Sequence, residues 1–357
     1  MSQSSQRLAS LDILRGFDLF LLVFLQPVVV AIGSVWCPGW MESVLYQLDH
    51  EVWEGFRCWD LVMPLFLFMT GAAMPFSFAK YKVTGGNFAL YRKIGRRFLI
   101  LFLLGMVVQG NLLGFDFNRI YFYTNTLQAI AAGYLISALI ILNCKLRTQI
   151  ILTGLLLAVY SLPMHLLGDF TRDGNFAGMI DAAVLGRFRG DPSYTWIWSS
   201  LTFGVTVMLG TFAGTLIRSQ CFSGRRKALL LAAIGVGLVI AGWLWGFSQP
   251  IIKRLWTGSM TLYSGGWCFL LMALFYWWID VCGHHRGLDW LKIYGTNSIL
   301  AYILGEIVNF RSIAESLTYG LAPRLGDFYG AWLTFCNSLI LFFILLYLYR
   351  RHLHLKI

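Results

Sequence analysis

Charge is scarce in this chain of 357 residues: Asp, Glu, Lys and Arg together make up 13%. Soluble proteins carry about a quarter, so the sequence cannot cover the surface of ordinary soluble domains. Acids are scarcer than bases, 17 against 28. The formal charge of +11 therefore needs a physical account. No Asn-x-Ser/Thr sequon occurs, which favours a bacterial inner membrane over a glycosylated organelle membrane. The seven cysteines show no metal-ligand spacing, and no metal is expected.

Apolar residues fill the gap that charge leaves. They make up 58% of the chain, with a mean hydropathy of +0.66. About ten spans of about 20 residues would absorb nearly all of them. The sequence thus predicts one all-α domain over residues 1–357, a polytopic membrane helix bundle. The apolar runs lie at about 16–35, 59–79, 95–113, 125–143, 149–166, 196–217, 228–248, 260–281, 293–310 and 329–349. The first is too long for a signal-peptide core and no small-residue cleavage site follows it, so it is expected to be retained.

An even number of spans puts both termini on one side. That side then holds 19 of the 28 Lys and Arg residues, among them Arg7, Lys80, Lys82 and Lys356, and four of the 17 acids. Cytoplasmic loops collect Lys and Arg during insertion, so both termini are expected in the cytoplasm. The basic excess is read as an insertion signal in a lipid bilayer, and no nucleic-acid partner is expected. The main outer loops are then 36–58 and 167–195, the second rich in Asp and Arg and suited to a rim or lid. Cys37 and Cys58 bracket the first, on an oxidising side. A disulfide and two free thiols are both open there.

Lipid offers no water, so polar groups within spans must face protein or a hydrated cavity. Gln26, Asp60, Gln109, Asn125, Gln128, Asn297, Ser298 and Glu306 are of this kind. Singly, each is explained by helix-to-helix bonding; together they suggest a wet interior suited to a transporter, a channel or an enzyme. Among the six histidines, His352 and His354 fall in a basic tail, His284 and His285 in a loop, and His165 near a span end. His50 differs, standing in Asp49-His50-Glu51-Val52-Trp53-Glu54 ten residues before Asp60. If that stretch is helical, Glu54 shares its face. Carboxylates around one imidazole suit a general base or nucleophile; an ordinary interfacial histidine is the alternative.

The run His50-x2-Trp53-x-Gly55-x4-Asp60-Leu61-Val62-x-Pro64-x-Phe66-x-Phe68-x2-Gly71 resembles the signature of the heparan-α-glucosaminide N-acetyltransferase family. Arg7-Leu8-x-Ser10-Leu11-Asp12-x2-Arg15-Gly16, Leu127-Gln128 with Tyr134, and Gly295-x-Asn297-Ser298 resemble further family segments in family order. The resemblance implies acetyl transfer from cytoplasmic acetyl-CoA, a co-substrate, to the amine of a glucosamine-type sugar on the far side. It implies an active-site histidine at His50 and a signature acid at Asp60. Two positions depart from the pattern: Gln26 stands where the lysosomal member has an active-site asparagine, and Ala129 where the glutamine is usually followed by arginine.

On this reading the sugar is expected near Trp53, Glu54, Gln26, Gln128, Asn297, Ser298 and Glu306. Trp36, Trp40 and Trp59 offer stacking faces or form an interface belt. Arg15, Lys93, Arg96, Arg97 and Lys292 are expected to hold coenzyme phosphates; as topology signals they need no ligand. A homodimer is a family-level expectation. The competing readings are an amino-sugar or sugar-fragment transporter and an O-acyltransferase acting on a cell-envelope glycan.

Overall fold

The structure, a computed structural model, describes residues 8–84, 87–353 and 355, with the side chains of 79–87 left outside. Arg7, His354, Lys356 and the side chains of Lys80 and Lys82 therefore lie outside the described residues. Among those described, every regular element is a helix. They are α1 (Ala9–Gly33), α2 (Gly39–Gln47), α3 (Val62–Thr84), α4 (Asn87–Val108), α5 (Thr126–Asn143), α6 (Leu146–Leu166) and α7 (Phe176–Leu185). Then come α8 (Ser200–Arg218), α9 (Gly224–Gly246), α10 (Gly258–Val281), α11 (Leu291–Thr296), α12 (Ser298–Ile307), α13 (Arg311–Thr318) and α14 (Tyr329–Arg350).

Eight helices among the described residues are long and apolar enough to cross a membrane, which makes the chain an integral membrane protein. Ten spans are expected from the sequence, and two depart for identifiable reasons. The third, α4, opens with Arg92, Lys93, Arg96 and Arg97, so only its second half is continuously apolar. The ninth is interrupted at Asn297, whose backbone (φ −122°, ψ 42°) leaves the helix. That break leaves α12 ten residues, about 15 Å at 1.5 Å per residue, half of a hydrocarbon core about 30 Å thick. Within α1 the residues Leu21–Leu25 form one turn of wider π-helix just before Pro27, which has no N–H to give to the preceding turn.

Backbone contact, more than side-chain volume, fixes the bundle centre. A Cβ added to Gly71 of α3 would sit 1.8 Å from the Val207 carbonyl oxygen of α8, and one on Gly210 would sit 1.9 Å from that of Phe68. Only glycine allows helices this close in lipid. Gly16 of α1 and Gly295 of α11 meet in the same way, 1.8 Å from Leu291 O and 2.2 Å from Asp12 O. Gly16, Gly71 and Gly295 of the resembling segments are thus packing glycines.

The bundle has two distinguishable ends. At one, the Ser10 N–H donates to Asp280 Oδ2 (3.2 Å) and Asn297 bonds Leu353 O (3.0 Å) and the Leu355 N–H (2.9 Å). Both ends of the described chain therefore gather there. At the other end the connecting loops interlock. Gly55 N–H donates to Ile251 O (2.9 Å), Thr195 N–H to Arg254 O (3.1 Å) and Phe122 N–H to Phe188 O (3.0 Å). The 167–195 connection carries α7 rather than running free. Buried Asp181 of α7 accepts the N–H groups of Trp196 (2.7 Å) and Ile197 (2.9 Å). Burial pushes its carboxyl up to about 6.

Candidate functional site

Between α2 and α3 the chain folds around two ion pairs, one partly buried and one buried. Arg57 spans Glu51 with two hydrogen bonds, Nε to Oε2 (2.9 Å) and Nη2 to Oε1 (3.1 Å), and stacks 3.9 Å over the Tyr46 ring. The bond from Arg57 holds the Glu51 carboxyl below the usual carboxylate range. The stretch after His50 is irregular, not helical as expected for bringing Glu54 to the imidazole, and Glu54 is exposed. The reason lies in the turn itself. Gly55 takes φ +129°, a region open to glycine but strained for other residues, so that its N–H can reach Ile251. Two residues beyond that contact is Lys253.

Asp60, which sits in the 3₁₀ turn Cys58–Leu61 leading into α3, is fully buried and accepts four donors. The N–H groups of Glu51 (3.2 Å) and Arg57 (3.0 Å) point at Oδ2. His50 Nδ1 (2.8 Å) and Lys253 Nζ (3.4 Å) face Oδ1. Lys253 Nζ also lies 2.9 Å from His50 Nδ1 and 3.2 Å from Nε2. A nitrogen this near both ring nitrogens is above the imidazole face, not along either in-plane lone pair. Nδ1 is thus directed at Asp60, and Nε2 keeps its in-plane direction open. Burial pushes the Lys253 ammonium down to about 8, against the pull of Asp60.

His50 and Lys253 open on a cavity of about 440 Å³ that reaches Trp59, Asp191, Tyr194 and Glu306. A second cavity of similar volume is lined by Arg15, Lys93, Arg96 and Arg97, with Thr70, Ser298 and Leu355. It lies toward the end where the termini gather. Phe66, Thr126 and Tyr302 line both cavities, so one layer of side chains divides them. Asn125 fixes that layer: it caps α5 through the Leu127 N–H (2.7 Å) and donates from Nδ2 to the Tyr302 hydroxyl (3.2 Å). Among the described residues the buried Nε of Arg97 has no hydrogen-bond partner, although its guanidinium stacks over Tyr134 at 4.6 Å.

The remaining residues singled out from the sequence are dispersed. Gln26 donates to Leu48 O (3.4 Å) and so steadies the loop before His50. Trp53 bonds Phe170 O (2.8 Å) and pins the 167–195 connection over the site. Gln128 accepts the Thr124 and Asn125 N–H groups (2.9 and 3.1 Å), completing the α5 cap. Asn297 holds the chain end, while its neighbour Ser298 lines the basic cavity. Glu306 faces the His50 cavity, where Gln109 bonds it. Lys292 pairs with Asp289 at 2.6 Å. Trp36 and Trp40 are exposed and pack edge to face, as an interface belt would. Cys37 and Cys58 are free thiols.

Lys253 is absent from the sequence reading of the site. A signal existed: Lys253-Arg254 is a basic pair in a loop that the charge bias of the sequence assigns to the side expected to hold few bases. Such a pair calls for a local partner. Arg254 has one too, stacking 4.8 Å over Tyr194 and reaching Asp191 at 4.0 Å. Among the described residues, no three His, Cys, Asp or Glu side chains are grouped to hold a metal.

Fold and site together define an integral membrane protein with a His-Asp-Lys cluster on one cavity and a basic cluster on its neighbour. Residues 7–165 match a family described as a domain of unknown function (DUF5009). The chain is 25% identical to the heparan-alpha-glucosaminide N-acetyltransferase of Homo sapiens, over 86% of this chain and 54% of the human protein. To the Mus musculus protein of the same name it is 24% identical, over 85% and 54%. The chain spans about half the length of the curated relatives it matches, and it is a distant relative of these N-acetyltransferases.

Proposed function

We propose that this chain is a membrane acetyltransferase which draws acetyl from acetyl-CoA in the basic cavity and delivers it to the amine of a glucosamine-type sugar beside His50. One observation carries the reading: the two cavities share Phe66, Thr126 and Tyr302 as a common wall. A coenzyme with its phosphates among Arg15, Lys93, Arg96 and Arg97 has only that layer to pass before its thioester meets the imidazole. The Nε of Arg97, unpartnered among the described residues, fits a site whose acceptor is brought by a ligand. Each hydrogen bond from such a cation to phosphate is worth about 1.5–3 kcal/mol.

The chemistry needs a base. A sugar amine is mostly protonated near neutral pH and cannot attack a thioester until it loses that proton. Asp60 accepts a hydrogen bond from the Nδ1–H of His50, leaving Nε2 to take the amine proton, a step worth about 10²–10⁴-fold. The same Nε2 could attack first and form an acetyl-imidazole that the amine then opens. Rapid-quench mass spectrometry separates the two routes. The excess of Lys and Arg around the basic cavity supports a cytoplasmic position for it, with the sugar site across the bilayer; on this reading the protein resides in a bacterial inner membrane.

The test uses purified protein with acetyl-CoA and glucosamine, following thiol release and acetylated sugar. Turnover that His50→Ala abolishes supports the reading. Sugar uptake into vesicles that needs no coenzyme would replace it with a transporter.

A further inference from the structure

The geometry points to Lys253 as the charge-balancing residue that keeps His50 neutral and therefore able to accept a proton. The argument starts from Asp60, a fully buried carboxylate. A buried charge is tolerated only when it is paired. Two groups can supply the compensating positive charge, Lys253 Nζ at 3.4 Å and the imidazole at 2.8 Å. If the lysine supplies it, the ring is free to stay neutral. If the lysine is neutral or absent, the whole demand falls on His50, and an imidazolium has no lone pair to offer an amine.

Position reinforces the charge argument. Nζ is 2.9 and 3.2 Å from the two ring nitrogens, so a positive charge is held against the ring face. That location repels a second positive charge on the imidazole without occupying the in-plane direction at Nε2. The other charged or titratable groups around the ring have partners of their own. Glu51 and Arg57 bond each other, Asp191 and Tyr194 face Arg254, and Glu306 bonds Gln109. None of them replaces an ammonium in contact with both Asp60 and the ring. Tyr194 sits beneath the Arg254 guanidinium, and the Gly55–Ile251 backbone bond sets the loop that delivers Lys253. Lys253 thus acts on the chemistry through His50, as a positioning residue.

Two readouts test this, and only one rests on the acetyltransferase reading. In the first, the full-length protein is labelled at histidine in detergent micelles, and the His50 ring signal is followed by NMR against pH without any substrate. The ring is expected to become protonated at a higher pH in Lys253→Met and Lys253→Gln than in the parent, and Lys253→Arg to stay close to the parent. In the second, acetyl transfer to glucosamine is expected to lose about 100-fold in kcat in the Met and Gln variants. Their KM for acetyl-CoA should stay within about threefold, because the phosphates lie in the other cavity and uniform binding is untouched. Recovery of at least part of kcat in Lys253→Arg distinguishes charge from mere packing. An unchanged ring titration in a folded neutral variant, or a kcat within about twofold of the parent, overturns the proposal. Absence of transfer in the parent protein would refute the functional reading alone, since the ring titration decides the role of Lys253 without it.

Discussion

Replacing Asp60 with asparagine changes one atom type and almost no volume, yet the hydrogen-bond pattern dictates a large effect. Oδ2 receives two backbone N–H groups, from Glu51 and Arg57, and these can only donate. The amide oxygen must therefore take the Oδ2 position and the amide NH₂ the Oδ1 position, where it confronts His50 Nδ1 and Lys253 Nζ. Nδ1 can satisfy an NH₂ only as an acceptor, so the ring proton moves to Nε2 and the lone pair needed by the sugar amine is lost. Loss of a general base costs about 10²–10⁴-fold, or roughly 3–5 kcal/mol at 1.36 kcal/mol per tenfold. Lys253 also loses its counter-ion, and breaking a buried pair typically costs about 3–5 kcal/mol, reduced here to the extent that the lysine sheds its proton. The assay is acetyl transfer from acetyl-CoA to glucosamine, run beside coenzyme binding to the same preparation. Binding should survive, because the cations of the basic cavity stand on α1 and α4, away from the Asp60 turn. Asp60→Asn that binds coenzyme and retains more than about a tenth of the parent turnover would refute the assigned tautomer and the role of the pair.

Three further outcomes follow from the same geometry. Arg96→Ala combined with Arg97→Ala should raise KM for acetyl-CoA at least about tenfold, since each charge-assisted bond is worth about 1.5–3 kcal/mol; initial rates at varied coenzyme check this. Thr126→Phe should fill the shared wall and abolish transfer while coenzyme binding persists, as measured by comparing calorimetric binding with turnover. The alkaline limb of the pH profile follows from Lys253, whose burial brings its ammonium down to about 8. The working form is the charged one, present below that value and lost as pH rises through it. Turnover should accordingly fall above about pH 8, and Lys253→Arg, whose guanidinium stays charged, should flatten that limb.

How much of the site was legible depended on whether its parts were neighbours in sequence. His50 and Asp60 stand ten residues apart within one apolar-to-polar boundary, and their proximity could be inferred because the chain has little room to separate them. Arg15, Lys93, Arg96 and Arg97 were also identifiable as a group, since alternating spans return their ends to one side. Lys253 was not, because 203 residues separate it from His50 and loop-to-loop bonds such as Gly55–Ile251 form only in the folded chain. Gln128 shows the converse. Its amide was as expensive in lipid as any other, but the α5 N-terminus consumes it, and capping demand cannot be counted until the helix start is known.

The sequence alone determined that this is a helical membrane protein, because continuous apolar runs of about 20 residues fit a bilayer as helices, which satisfy the backbone within each segment. It also determined the basic bias of one end and the identity of one imidazole set among carboxylates. Tertiary structure decided the rest: that the ninth span is broken at Asn297 into α11 and α12, that two cavities share one wall, and that a distant lysine completes the imidazole's surroundings. Those features depend on which backbones approach closely enough to touch. That is settled by glycines at crossing points and by loop-to-loop bonds, and neither leaves a periodic trace along the chain.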